Sequence, residues 1–323
     1  MHGDSVGDKF IPPHPLNTAV LFLVFNRLDT AKQVFKAIRE AKPPRLYIAA
    51  DGARANKEGE DKKVEAVREF ILSHIDWDCE IKTFFQDVNI GCGPNVKSSI
   101  DWFFDNEEMG IILEDDVVPE ESFFPFCEEL LIKYKDDSRI GMISGNNHIG
   151  NDTFSESYTF SKYKGCWGWA TWRRAWKNMD FEMTWIESKS RDVIIKNMGY
   201  GKPSIEHWSN AIDNIRYNIV SAWDWQWYFS LASQNQLCIF PRFNLVSNIG
   251  FGLEATHTFG KANKSFLLTK KLDFPLVHPL YILGNDNYDK SFEAKKIKKP
   301  FTIKNVIPKK IKRLIKKIIY DRR

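Results

Sequence analysis

Apolar residues in this chain come in short unbroken runs, separated by stretches in which they recur every third or fourth position. Residues 17–25 (NTAVLFLVF) are nearly all apolar, the pattern of a strand buried on both faces of a parallel sheet. The run stops at Asn26-Arg27. Ala31, Val34, Phe35 and Ile38 follow at helical spacing, with Asp29 or Thr30 placed to cap that helix. Residues 46–50 predict a second strand ending in Asp51-Gly52, residues 61–73 a charged helix, and residues 79–86 a third strand. A glycine-rich loop at 89–95 (NIGCGPN) leads to a helix over 96–104, and Ile111-Ile112-Leu113 forms a fourth, buried strand. Beyond it the pattern gives a helix over 123–134, strands over 140–144 and 237–240, and a helix through Tyr228, Leu231 and Ala232. Residues 179–219 are mixed and polar, without a usable period. Strands alternating with helices, each strand ending in polar residues, predict an α/β fold. Its doubly wound, mostly parallel sheet is flanked by helices and takes ligands at the carboxyl ends of its strands.

A length of 323 residues allows one large α/β domain or two smaller ones. The expected layout is an N-terminal arm over 1–16, two halves of one domain over 17–150 and 151–292, and a basic tail over 293–323. The hydrophobic fraction of 43% and charged fraction of 27% are those of a globular protein, and no run of 18 apolar residues predicts a spanning helix. The polar, Pro-rich first 16 residues lack the apolar centre of a secretory leader. Five cysteines, without a CxxC pair, fit neither a disulfide framework nor a zinc site, so a reducing cytoplasm is expected.

The net charge of +4 conceals an asymmetry. Residues 293–323 hold 13 Lys or Arg against 2 acids, a segment charge of +11, which leaves −7 on the rest. Within 308–323, Ile311, Leu314, Ile315, Ile318 and Ile319 share one helical face and six Lys or Arg fill the other. Such a basic amphipathic helix suits an anionic membrane surface, each cation adding about 1 kcal/mol, and places the protein at the inner face of the cell membrane. The same helix could instead dock on the domain. No nucleic acid partner is expected, because the basic residues lack interleaved aromatics and the body is acidic.

The chemistry concentrates at Glu114-Asp115-Asp116, where the fourth strand empties into three consecutive carboxylates. Their mutual repulsion calls for a cation. Carboxylate oxygens suit Mg2+ or Mn2+, which usually take one or two protein carboxylates and share their remaining positions with water and phosphate. A charged turn, favoured by Pro119, is the alternative. The fold brings Arg27, Asp51 and Asp116 to one edge, where a nucleoside diphosphate would find a cation, an acceptor and a metal carboxylate. Singly, Arg27 reads equally as a solvated loop residue and Asp51 as a turn residue. Neither GxGxxG nor GxxxxGK[ST] is present.

Four tryptophans fall within 167–176. Trp169, Trp172 and Trp176 lie at helical spacing and belong to the core, whereas Trp167, off that stripe, offers a flat face to a sugar ring. Asp224 stands between Trp223 and Trp225, where desolvation would lift it toward a general base, although it could equally cap the following helix. His257 could complete a metal shell or contact a diphosphate, or serve as a hydrogen-bonded structural residue.

Taken in order over residues 18–258, these features resemble the GT-A glycosyltransferases. The likeness is to bacterial family-2-like enzymes of surface-glycan synthesis and, more distantly, to N-acetylglucosaminyltransferase I. Phe25-Asn26-Arg27 follows the first strand, Asp51 the second, and Glu114-Asp115-Asp116 stands as the DxD-type motif. Cys166-Trp167-Gly168-Trp169 takes the place of the family's Gly-x-Gly-Trp loop, and Asp224-Trp225 that of its acid pair. The resemblance implies inverting transfer of a hexosyl or N-acetylhexosaminyl group from a nucleotide-diphosphate sugar, expected to be UDP-linked, to a glycan or lipid-linked acceptor. It implies donor contacts from Phe25, Asn26, Arg27, Asp51, Asn95, Glu114 and Asp115, with Asp51 on the uridine. Asp116, joined by His257, would hold Mn2+ or Mg2+. Trp167, Gly168 and Trp169 would face the donor sugar and acceptor, and Asp224 would be the base. A sugar nucleotidyltransferase shares this sheet and metal chemistry but carries a glycine-rich phosphate loop after the first strand, which Phe25-Asn26-Arg27-Leu28 is not. A non-catalytic sugar-binding scaffold would have no need of the intact acids.

Overall fold

Three buried runs and one largely exposed edge segment become four parallel strands: β1 (Val20–Val24), β2 (Arg45–Ala50), the edge segment β3 (Glu80–Phe85) and β4 (Met109–Glu114). The computed structural model describes residues 10–150, 154–217, 223–250 and 268–297. Helix α1 (Leu28–Ala41) buries Ala31, Val34, Phe35 and Ile38, the stripe read from the sequence. Its cap position falls to Arg27 with no side-chain cap. Asp29 and Thr30 lie instead in the first turn, where Asp29 complements the helix dipole and the Thr30 hydroxyl donates back to the Arg27 carbonyl at 3.2 Å. Helix α2 (Glu60–Ser73) buries Val64, Val67 and Ile71, and Glu60 and Asp61 occupy its first turn.

Helix α3 (Cys92–Asn106) begins four residues earlier than its sequence predicts. Gly93, Pro94 and Asn95 read as loop breakers, but the first turn of a helix has no intrahelical partners for its N–H groups, so proline sits there without loss. Strand β5 (Val117–Pro119) follows β4 after a two-residue turn at Asp115-Asp116, so Pro119 closes a short strand rather than a turn. After α4 (Phe123–Lys133) come β6 (Ile140–Ser144), β7 (Tyr158–Ser161) and β8 (Trp169–Trp172). The four-residue helix α5 (Arg173–Trp176) completes this part of the chain. Trp169 and Trp172 thus sit on a strand, not on a helix, although both are buried as expected.

The unpatterned stretch holds a 3-10 turn at Thr184–Glu187 and helices α6 (Arg191–Asn197) and α7 (Lys202–Arg216). Together with Tyr163, Tyr228, Phe229 and Phe292 they enclose a second core around Trp208, Ile212 and Met198. Helix α8 (Trp223–Ser233), strands β9 (Leu237–Pro241) and β10 (Val246–Asn248), and helix α9 (Asp286–Lys296) follow.

The main sheet has eight strands in the order β3-β2-β1-β4-β8-β6-β9-β7, and β10 pairs antiparallel with β5 beside it. Strands β3, β2, β1 and β4 are mutually parallel, β8 runs antiparallel between β4 and β6, β9 is parallel to β6, and β7 is antiparallel at the edge. The α/β, mostly parallel architecture read from the sequence is the one observed. The chain steps outward from β1 to β3 and then returns to β4 on the other side of β1. With right-handed crossovers, that return carries α3 to the face opposite α1 and α2 and leaves a crevice at the carboxyl ends of β1 and β4. Among the described residues no helix is long and apolar enough to cross a membrane. The predicted amphipathic helix of 308–323 and His257 lie outside the described residues.

Candidate active site

The crevice is bounded by the residues just after β1 and at the end of β4. Arg27, following β1, donates through Nη2 to Asp115 Oδ1 and lies 3.0 Å from Asp116 Oδ2. Burial works against its charge, but Asp115 and Asp116 outweigh that and hold the guanidinium more firmly protonated than usual. Arg27 is therefore a built-in counter-ion rather than a solvated loop residue. Among the described residues it is the cation paired with Asp115 and Asp116. Burial pushes Asp115 up to about 6 despite Arg27 beside it, and Asp115 Oδ2 is buried with no hydrogen-bond partner among the described residues. Glu114 is driven well above the usual carboxylate range, first by burial and then by Asp116, Asp224 and Asp115.

Asp224 is the residue that the sequence places farthest from this cluster and the fold brings to it. It stands in the first turn of α8, whose orientation is fixed by indoles. Trp223 stacks on Trp169 at 5.9 Å between centroids, and Trp227 packs on Trp169 at 6.1 Å and on Trp176 at 4.8 Å. The negative field there is also felt by two cysteines. Cys92, at the start of α3, is pushed up to about 12 by the crowding protein and by Glu114, Asp224, Asp51 and Asp115. Cys166 is raised by burial, then by Asp224, Cys238 and Glu114. Trp167 is half-buried on the 166–168 loop and meets His148 edge-on at 5.5 Å. Gly168 has a left-handed φ of 55°, and an added Cβ would approach Val246 Cγ1 to 2.8 Å, so it serves packing between β8 and β10.

Asp51 is occupied differently from its sequence reading. Its carboxylate accepts from the amides of Gly52 (2.9 Å), Ile90 (2.9 Å) and Gly91 (3.0 Å) and from Asn89 Nδ2 (2.9 Å). Four donors use the four acceptor positions of a carboxylate, so Asp51 holds the 89–91 loop instead of presenting a vacant acceptor to a uridine. Asn95 is buried in the first turn of α3, its Oδ1 without a partner among the described residues. Asn26 donates to Glu60 Oε1 at 2.9 Å, and Arg54, also paired with Glu60, lies over the Phe25 ring at 5.5 Å.

Glu60, Arg54, Asn89 and Gly250 did not stand out in the sequence. Gly250 carried the one usable signal, one of two glycines in the short stretch 248–252 (NIGFG). The Ile249 amide donates to the Asp116 carbonyl at 2.8 Å, and a Cβ on Gly250 would sit 2.0 Å from Asp116 Oδ2. The chain thus passes directly behind Asp116 seven residues before His257.

No three His, Cys, Asp or Glu side chains among the described residues form a ready-made cation cage. The donor chemistry nevertheless fits a hard divalent cation. Asp115 and Asp116 face Arg27, Glu114 senses both of them together with Asp224, Asp115 Oδ2 is buried without a partner among the described residues, and Asp116 is 15% exposed. An ion bound by one carboxylate and by an incoming diphosphate needs no protein cage.

No known family model matches the chain, and no curated protein matches it in sequence. Among solved structures it is similar to a mannosyltransferase from Pyrobaculum calidifontis in complex with GDP-Man and Mn2+. That match has a TM-score of 0.35 and 12% identity, and spans 52% of this chain and 48% of the other, about half its length. It is also similar to HddC from Yersinia pseudotuberculosis, with a TM-score of 0.31 and 10% identity over 53% of this chain and 84% of the other. An inositol-1-phosphate CTP transferase from T. maritima gives a TM-score of 0.31 and 11% identity over 53% and 77%.

Proposed function

We propose that the chain is a GT-A-type glycosyltransferase that moves a sugar from a nucleotide-diphosphate sugar, UDP-linked, to a hydroxyl of a glycan or lipid-linked acceptor with inversion, in bacterial surface-polysaccharide synthesis. The observation that carries this reading is the convergence of Asp224 with Glu114, Asp115, Asp116 and Arg27 at the topological switch point of the sheet. A carboxylate near enough to an acid cluster to raise Glu114 provides two functions. One accepts a proton and the other gathers the charge of a leaving diphosphate.

Arg27, already aligned by Asp115 and Asp116, would turn part of its donor set to the diphosphate. Asp51 would shape the nucleotide pocket through the 89–91 loop rather than by direct contact. Asp224 would take the acceptor hydroxyl's proton as the new bond forms to the anomeric carbon and the bond from that carbon to the diphosphate oxygen breaks. Trp167 and the 166–168 loop would bear on the donor sugar and acceptor. Mn2+ or Mg2+ on Asp116, with His257 as a further ligand, would neutralise charge on the departing diphosphate.

Incubation with UDP-sugars, Mn2+ and acceptor should release UDP and no pyrophosphate; pyrophosphate would assign the chain to the nucleotidyltransferases. Asp224→Asn should leave UDP-sugar binding unchanged while cutting turnover by about 100-fold or more. Retained turnover in that variant removes Asp224 from the base role.

A further inference from the structure

Before α9 the chain runs along the sheet's outer strand, pinned to β7 at two points. Ser157 N donates to the Val277 carbonyl at 2.9 Å and Val277 N to Ser157 Oγ at 2.8 Å, while Asn285 N donates to the Phe160 carbonyl at 2.8 Å beside a Phe160–Gly284 bridge. The pins are three residues apart on β7 and seven apart on the strap, so the surplus chain must bulge outward. His278 ties its base through Tyr158 (2.9 Å) and Glu129 (3.2 Å), and Ile282 turns inward against the core. The outward residues are apolar and exposed: Leu280 83%, Tyr281 69% and Leu283 69%, with Val277 at 59%. Four large apolar side chains exposed within seven positions are a contact surface in search of a partner.

We propose that this bulge is a membrane-contacting prong, whose Leu280, Tyr281 and Leu283 enter the interface of a bilayer containing anionic lipid. Two observations favour a bilayer over a protein. A stable protein interface recruits about 20–30 residues a side, far more than three projecting side chains supply. In sequence the strap and α9 also lead into residues 293–323, which hold 13 Lys or Arg against 2 acids. A small apolar insertion backed by a polybasic segment is the two-signal arrangement that holds a protein at an anionic surface, and a tyrosine suits the headgroup level. The inference stands apart from the sugar-transfer reading, since the strap lies along β7 at the sheet edge, four strands from β4.

The test is co-sedimentation of the full chain with phosphatidylcholine vesicles, with and without phosphatidylglycerol. The full chain should bind the anionic vesicles. The triple variant Leu280→Ser, Tyr281→Ser, Leu283→Ser should partition at least about tenfold less, with unchanged thermal melting. High salt should remove what binding the variant retains, because only its charged contribution remains. If the triple variant melts early, Tyr281→Ser alone should still lower partitioning severalfold. Equal partitioning of wild type and variants, whether strong or absent, overturns the proposal. So does a wild-type dimer that the triple substitution dissolves without any effect on vesicles.

Discussion

At Gly250 a single missing methyl group decides whether Asp116 keeps its place. A Cβ there would lie 2.0 Å from Asp116 Oδ2, 2.7 Å from Cγ and 2.9 Å from its Cβ, so alanine must displace the carboxylate. Gly250→Ala should therefore weaken metal-dependent nucleotide binding by about tenfold or more, as misplacement of a binding group typically does, while changing stability little. Calorimetric titration of UDP with Mn2+ present checks this, and an unchanged dissociation constant would mean that Asp116 does not set affinity. A second residue-scale effect belongs to Glu60, which Arg54 and Asn26 hold at about 2. Because the folded pKa is depressed, its stabilisation is fully present above the ordinary value near 4.5 and is lost as pH falls toward 2. Arg54 is 42% exposed, so solvent screening limits the contribution to about 1–2 kcal/mol. Glu60→Gln should lose that amount at pH 7 and show a flatter decline between pH 4.5 and 2. Urea melts across that window decide it, and parallel curves for the two proteins would refute it.

At the scale of elements, the site depends on how α8 is seated. Trp227 is fully buried between Trp169 and Trp176, so Trp227→Ala should cost about 3–5 kcal/mol in denaturant melts. The Trp227 Nε1–H has no partner among the described residues, so Trp227→Phe removes an unsatisfied donor along with some volume and should cost clearly less than alanine. Similar losses for both would show that the indole nitrogen is bonded after all. The same tryptophans show what the sequence could and could not tell. Unbroken apolar runs identified β1, β2 and β4 because strands buried on both faces leave no other pattern. Spacing of three was ambiguous: Trp169 and Trp172 read as one helical stripe, but three places along a strand reverses direction. Trp169 meets α8, whereas Trp172 donates to the Leu131 carbonyl on α4 at 2.9 Å. The second core was illegible because Tyr163, Trp208 and Phe292 come from distant parts of the chain. The acid triplet was visible by composition; that Asp51 would be consumed by the 89–91 loop was not, since only folding brings those amides to it.

At the scale of the whole molecule, the crevice joins parts of the chain that pack into different cores, and its charge sets the order in which ligands stabilise them. Trp223 and Trp227 of α8 belong to the main core with β1 and β4, while Tyr228 and Phe229 of the same helix belong to the second. A ligand gripping Arg27, Asp116 and Asp224 would therefore tie both cores into one unfolding unit. Nucleoside diphosphate alone meets a cluster of acids with Arg27 beside it, so repulsion should keep it weak. Mn2+ alone finds no three-ligand cage among the described residues and should bind modestly. Together each supplies what the other lacks, and binding at a hundredfold excess over the dissociation constant adds about 2.7 kcal/mol to the folded state. Thermal melts should thus show a small shift with Mn2+, almost none with UDP, and a shift larger than their sum with both. Asp116→Ala should erase the excess without lowering the ligand-free melting temperature. Strictly additive shifts in the wild type would mean that cation and diphosphate bind at unconnected places, and the acid cluster would lose its role in gripping the donor.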